Sequence, residues 1–290
     1  MLPTFVIGLR EGVEASLIVG IVAAFLNQQG RRDALRQMWI GVGLAIALCV
    51  GVGIALEALE AQLPQRQQEA LETVVALIAV AMVTYMIAFM RRHARNIKTE
   101  LQDRAGAALA AGSAMSLVAM AFLAVLREGF ETSVFLLAQF QASSNPARTS
   151  SDTVMAAGGA VLGLALAVVI GWLIYRGGMR INLARFFTAT GMVLVLVAAG
   201  LLAFAAHTAH EATWLNIGQG QFADLSSVVR PGTIAAALLT GVLGIQPKPT
   251  WSEAIAWLVY LVPVGALVLW PQRSPRSTQV AVRLTPRKAS

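Results

Sequence analysis

The chain has 290 residues, of which 57% are hydrophobic and only 13% charged, and its mean hydropathy is +0.68. A soluble domain is about a quarter charged, so composition excludes a soluble globular protein and predicts an all-α polytopic membrane protein. The net charge of +7 raises the question of nucleic acid, which the placement of the basic residues excludes.

A bilayer-spanning helix needs about 20 apolar residues, and seven runs qualify, at about 3–26, 38–59, 70–90, 111–140, 154–175, 186–206 and 253–270. The first lacks a basic leader, and Arg10 and Glu11 interrupt its apolar core. It reads as a retained span rather than a cleaved signal. The second holds Cys49, the only cysteine, which leaves no intramolecular disulfide and suits a small core residue. Met82, Met86 and Met90 form a stripe along the third; packing explains it better than a soft-metal path. The fourth run would reach about 45 Å at 1.5 Å per residue, so its first turns, near Ser113 and Ser116, belong at the interface. Gly159 and Gly163 in the fifth make a GxxxG packing signal. Thr84, Tyr85, Thr188 and Thr190 read as helix–helix hydrogen-bonding residues. Residues 207–252 form an outer segment, in which Pro231–Ile245 is short and Gly-interrupted and reads as an interfacial or re-entrant helix. Pro263 predicts a kink in the seventh span. A single permease-like domain over 1–275 is expected, followed by a polar, disordered cytoplasmic tail at 276–290.

Sixteen of the 22 Lys and Arg residues fall on alternate connections: 27–37, 91–110, 176–185 and the tail. By the positive-inside rule the N-terminus is outside and the C-terminus cytoplasmic. Basic residues dispersed in this way are loop anchors, not a nucleic-acid stripe. The acidic residues lean the other way, with eight outside (Glu57, Glu60, Glu69, Glu72, Asp152, Glu211, Asp224 and Glu253) and three inside. An acidic outer face would raise the local cation concentration.

One charged pentapeptide occurs twice inside apolar runs: Arg10-Glu11-Gly12-Val13-Glu14 and, 117 residues later, Arg127-Glu128-Gly129-Phe130-Glu131. The following residues also correspond, Ala15-Ser16-Leu17 against Thr132-Ser133-Val134. Spans one to three and four to six then form two repeat units, about 1–106 and 107–206. An odd number of spans per unit inverts the second unit, an arrangement that places sites at the repeat interface near the midplane.

Charged side chains at membrane depth cost about 2.5–3.5 kcal/mol each on the lenient insertion scale. On a helix, Glu11 and Glu14 share a face at i,i+3, and Arg10 joins Glu14 at i,i+4; Glu128, Glu131 and Arg127 repeat this. Gly12 and Gly129 permit close approach of a helix or an ion. Four converging carboxylates repel one another, and a hard multivalent cation relieves the repulsion. The arginines serve as resident counter-charges. Structural ion pairing accounts for one glutamate per motif and leaves Glu11 and Glu128 without a role. A membrane-embedded di-metal redox enzyme is the competing reading, but such sites use Glu-x-x-His pairs, and both motifs here read Glu-x-x-Glu. A transporter of another multivalent cation also fits.

The doubled REGxE, in the first and fourth of seven spans, resembles the oxidase-dependent iron transporter family, which includes the fungal high-affinity iron permeases and bacterial permeases. Met38-Trp39-Ile40-Gly41-Val42, Gly177-Gly178-Met179-Arg180-Ile181-Asn182-Leu183 and His210-Glu211-Ala212 extend the resemblance. It implies a non-enzymatic permease of the bacterial inner membrane, with iron, Fe2+ or Fe3+, as the transported substrate and no cofactor. Glu11, Glu14, Glu128 and Glu131 would handle the metal. A periplasmic cupredoxin-containing protein and a haem peroxidase are the implied partners. His207, His210, Glu211 and Asp224, beyond the sixth span, are expectations for metal capture on the outer side; an ordinary interfacial helix end also explains them.

Overall fold

The computed structural model describes residues 1–93, 114–143, 150–176, 182–226, 229, 239–240 and 242–269. Seven long helices account for most of them: α1 (Leu2–Gln28), α2 (Arg32–Glu60), α3 (Gln65–His93), α4 (Ala114–Ser143), α5 (Ser150–Tyr175), α6 (Leu183–Glu211) and α7 (Trp251–Leu269). The only strand-like pairing among the described residues is one isolated bridge between Gln221 and Thr250. Five helices are long and apolar enough to cross a membrane. The other two, α1 and α4, carry the charged pentapeptides. The chain is therefore an all-α, multi-pass membrane protein.

The helix ends follow local chemistry. Pro3 lies in the first turn of α1, where its missing N–H is no loss. Gly30, at φ +67°, reverses the chain between α1 and α2, a conformation that favours glycine. The Asn182 side chain accepts from the Arg185 backbone N–H and caps α6. Pro263 lies inside α7, which continues to Leu269.

Helix pairing sets the architecture. α1 packs along α5, α4 packs along α2, and α3 packs along α6; α1 and α4 meet in the middle. Exchanging α1, α2 and α3 with α4, α5 and α6 leaves this set of pairings unchanged. α7 lies outside the exchange, against α6.

Small residues make the close pairings possible. A side chain on Gly159 would run into the Met1 carbonyl and the Thr4 hydroxyl, and one on Gly163 into the Phe5 carbonyl. The GxxxG is thus the α1–α5 seam, closed by the Thr4 hydroxyl donating to the Ala156 carbonyl at 2.8 Å. The α2–α4 seam is joined by Ser133, which donates to the Cys49 carbonyl at 3.2 Å, and by Cys49, which donates to the Leu126 carbonyl. Between α3 and α6, Thr73 and Thr208 are buried and hydrogen-bonded at 2.8 Å. Thr84 meets the Tyr260 hydroxyl at 2.9 Å across α3 and α7. Tyr85 points outward, and Thr190 bonds back to its own helix.

The main core draws Ile7, Val83, Phe135, Ala138, Leu194 and Ala198 from α1, α3, α4 and α6. Outward faces carry Ile40, Leu44 and Ile54 on α2, Val161, Val168 and Trp172 on α5, and Val259, Val262 and Leu269 on α7. An uncovered apolar belt of this kind suits lipid.

The outer segment folds back on the bundle. The Phe222 N–H donates to the Pro249 carbonyl and the Trp251 N–H to the Gly220 carbonyl. Gly244, at φ +64°, lies against Gly200 of α6. These contacts set the start of α7 beside the end of α6. Most of Pro231–Ile245, the connection around 94–113, the stretch 177–181 and the tail beyond 269 lie outside the described residues.

Candidate metal centre between two helices

α1 and α4 each bring one pentapeptide to their shared contact. Glu11 is fully buried and Glu128 is 4% exposed; Glu14 and Glu131 are mostly covered. Single carboxylate oxygens of Glu11, Glu128 and Glu131 lie within 4.8 Å of one another. Glu14 stands beside this trio, 3.5 Å from the Arg10 guanidinium.

The arginines differ. Arg10 is 1% exposed and reaches Glu11 at 3.3 Å as well as Glu14. Its Nη1 also donates to the Met86 sulfur, and its guanidinium lies 5.9 Å from the Phe187 ring centre. Met86 thus caps a charge rather than only filling space. Arg127 bonds Glu131 at 2.9 Å but is 55% exposed, on an open face of α4 with Leu123 and Phe130.

Both motif glycines face a partner helix. A Cβ on Gly12 would lie 2.6 Å from the Ala167 Cβ of α5, and one on Gly129 would lie 2.7 Å from the Cys49 sulfur of α2. The glycines let a second helix press each motif into place.

The electrostatics are unbalanced. Glu11 Oε2, Glu14 Oε1 and Glu128 Oε2 are buried without a hydrogen-bond partner, as is Arg10 Nε. A buried polar atom without a partner costs about 1–3 kcal/mol, and more when charged. Oxygen-only donors suit a hard cation, and a cation at this point would supply the partners that the carboxylate oxygens lack.

The outer residues separate into two groups. His207 hydrogen-bonds Glu253 at 2.9 Å and lies 3.5 Å from Glu211. His210 is tied to the Leu215 carbonyl at 2.9 Å. Asp224 accepts from the Ser226 hydroxyl and backbone N–H, which hold its carboxyl below the usual range. His210 and Asp224 therefore spend their polar atoms locally, whereas His207 and Glu211 join residues from other helices. The sequence gives no sign of the Glu253 contact, because the two residues are 46 positions apart and meet only through the folded-back outer segment.

Comparison with known proteins agrees with the paired motifs. The iron permease FTR1 family matches residues 1–274. Ferrous iron permease EfeU of Escherichia coli O157:H7 is 41% identical over 276 residues, 94% of this chain and 97% of that protein. Ferrous iron permease EfeU of Yersinia pestis is 38% identical over 283 residues, 97% of this chain and 98% of that protein. No protein of solved structure matches the chain. With two oxygen-donor pentapeptides facing each other across α1 and α4 and a family match over nearly its whole length, the chain belongs to the iron permease FTR1 family.

Proposed function

We propose that this protein moves iron inward across the bacterial cytoplasmic membrane, with Glu11, Glu14, Glu128 and Glu131 as the ligands the ion meets at mid-membrane. The observation that carries this reading is the trio of carboxylate oxygens within 4.8 Å, drawn from two helices, with buried oxygens left unpartnered. The family is one of permeases, and the relatives are named for ferrous iron, so we take Fe2+ as the species that crosses.

The N-terminus lies in the periplasm and the C-terminus in the cytoplasm on this reading. α1 then runs inward and α4 outward, as inverted repeats require. Arg10 stands on the outer side of the carboxylates and Arg127 on the inner side. Arg10 is held by Met86, late in α3, and Phe187, early in α6, while the buried Ile7, Phe135 and Ala138 pack together on the outward side of the carboxylates, so the described arrangement is closed toward the outside. An arriving ion displaces Arg10 from Glu11 and Glu14. Departure inward follows when Arg127, on its open face, draws Glu131 away. A rocking of one three-helix unit against the other would alternate the two states. The periplasmic partners are a cupredoxin-containing protein and a haem peroxidase, acting at the outer face.

Proteoliposomes with radioactive Fe2+ outside test the reading. Saturable uptake by the wild-type chain, reduced at least tenfold by Glu14→Ala or Glu131→Ala, is the expected result. Normal uptake by both variants contradicts it.

A further inference from the structure

Five helix ends meet at the end of the bundle opposite the basic connections. α2 ends at Glu60, and the first turns of α3 carry Glu69 and Glu72. Gln141 lies in the last turn of α4, Glu211 ends α6, and Glu253 opens α7. Their side chains form a connected set. Gln141 donates to Glu60 at 2.5 Å, and the Glu60 and Glu72 carboxyls lie close together. The Glu69 and Glu211 carboxyls also lie close together, and His207 spans Glu211 and Glu253. This set is separate from the pentapeptides. Gln141 is ten residues past Glu131, about 15 Å along α4, and the buried Phe135 and Ala138 lie between.

Five carboxylates around one imidazole leave an excess of negative charge. Arg66, a nearby cation, is turned to the Ala212 carbonyl and the Thr213 hydroxyl at the end of α6. Each carboxyl–carboxyl contact is relieved by a shared proton or by a cation. Gln141 supplies an independent sign that the charge is a metal ion. Its side chain is 5% exposed and its nitrogen is spent on Glu60, yet Oε1 has no partner. A neutral amide oxygen beside carboxylates is a donor mixture of hard divalent cations, and an imidazole nitrogen extends it to first-row transition ions.

We propose that Glu60, Glu72 and Gln141, with Glu69, Glu211 and His207 beside them, form a second divalent-cation site at the outer end of the bundle, where a hydrated ion is held before it reaches the pentapeptide glutamates. The donors form a chain rather than closing on one point, and His207 and Glu211 are 43% and 44% exposed. The ion therefore keeps part of its water shell and exchanges readily. Service as a loading station rests on the transport reading above; the capacity to bind does not.

The test uses the full chain in detergent micelles, titrated with Mn2+ while electron paramagnetic resonance follows the free aqua ion. Glu128→Gln with Glu131→Gln is expected to leave one bound Mn2+. Glu60→Gln with Glu211→Gln is expected to bind one fewer ion than wild type while keeping the pentapeptide ion, which also shows that the variant is folded. Gln141→Leu, a milder change, is expected to weaken the outer ion three- to tenfold. Mn2+ number and affinity equal to wild type in both outer variants would overturn the proposal. Iron uptake separates the two readings. The outer pair is expected to raise KM with little loss at saturating iron. Undiminished uptake by the pentapeptide variants would sink the transport reading and leave the outer count untouched.

Discussion

Glu11 and Glu128 sit where water does not reach, and each keeps one oxygen without a partner. Arg10 is the charge that holds its own motif together, touching Glu11 and Glu14 at once. Breaking a buried charge pair from one side costs about 3–5 kcal/mol. Arg10→Met is therefore expected to lower the melting temperature of the purified protein sharply, and Mn2+ is expected to restore much of it, because a cation replaces the missing guanidinium. A melting curve without and with Mn2+ checks this; an unchanged melting temperature in the absence of metal contradicts it. Arg127 is 55% exposed, so Arg127→Met is expected to lower the melting temperature less than Arg10→Met does. The i,i+3 and i,i+4 spacing already places these charges on one face of each helix. Spacing does not reveal that Glu14 stands outside the trio, nor that Met86 and Phe187 cover Arg10. Those facts depend on α3 and α6, far off in the chain.

At the scale of helices, the α1–α5 seam is the tightest test of packing. Gly163 faces backbone atoms of Phe5 and Leu9 on α1, whereas Gly158, five residues earlier on the same helix, has nothing within 4 Å. Gly163→Val is expected to destabilise by about 1–3 kcal/mol through overpacking, and Gly158→Ala to be neutral or stabilising by up to about 1 kcal/mol. Thermal unfolding of the two variants in detergent compares them directly. The seven spans are legible from hydropathy because lipid demands long apolar runs. The GxxxG is legible as a packing signal, but its partner is not. The motif glycines show the same limit: sequence permits a helix or an ion beside Gly12 and Gly129, and the fold places Ala167 and Cys49 there.

At the scale of the whole molecule, α1–α5, α2–α4 and α3–α6 pair across the two three-helix units rather than mainly within them. A repeat of 117 residues points to two units but says nothing of this interleaving, which rests on contacts between helices far apart in the chain. Sequence places Glu60, Glu69, Glu72, Glu211 and Glu253 on the outer side and marks His207 and Glu211 for metal capture, but Gln141 and the way these residues connect across five helices are not legible there. The proposed orientation rests on the basic connections. A fluorescent protein fused after Ser290 is expected to fluoresce, as a cytoplasmic fusion does, and an alkaline phosphatase fused there to stay inactive; active phosphatase would reverse the topology.

Radioactive Fe2+ uptake by proteoliposomes carrying Glu128→Gln, beside wild type, bears most directly on the paired-motif site. Glutamine keeps the shape and removes one ligand charge from the trio. At least a tenfold loss of the initial uptake rate, with wild-type helical content and reconstitution yield, is the predicted result. Uptake at the wild-type rate would contradict a pathway through these carboxylates.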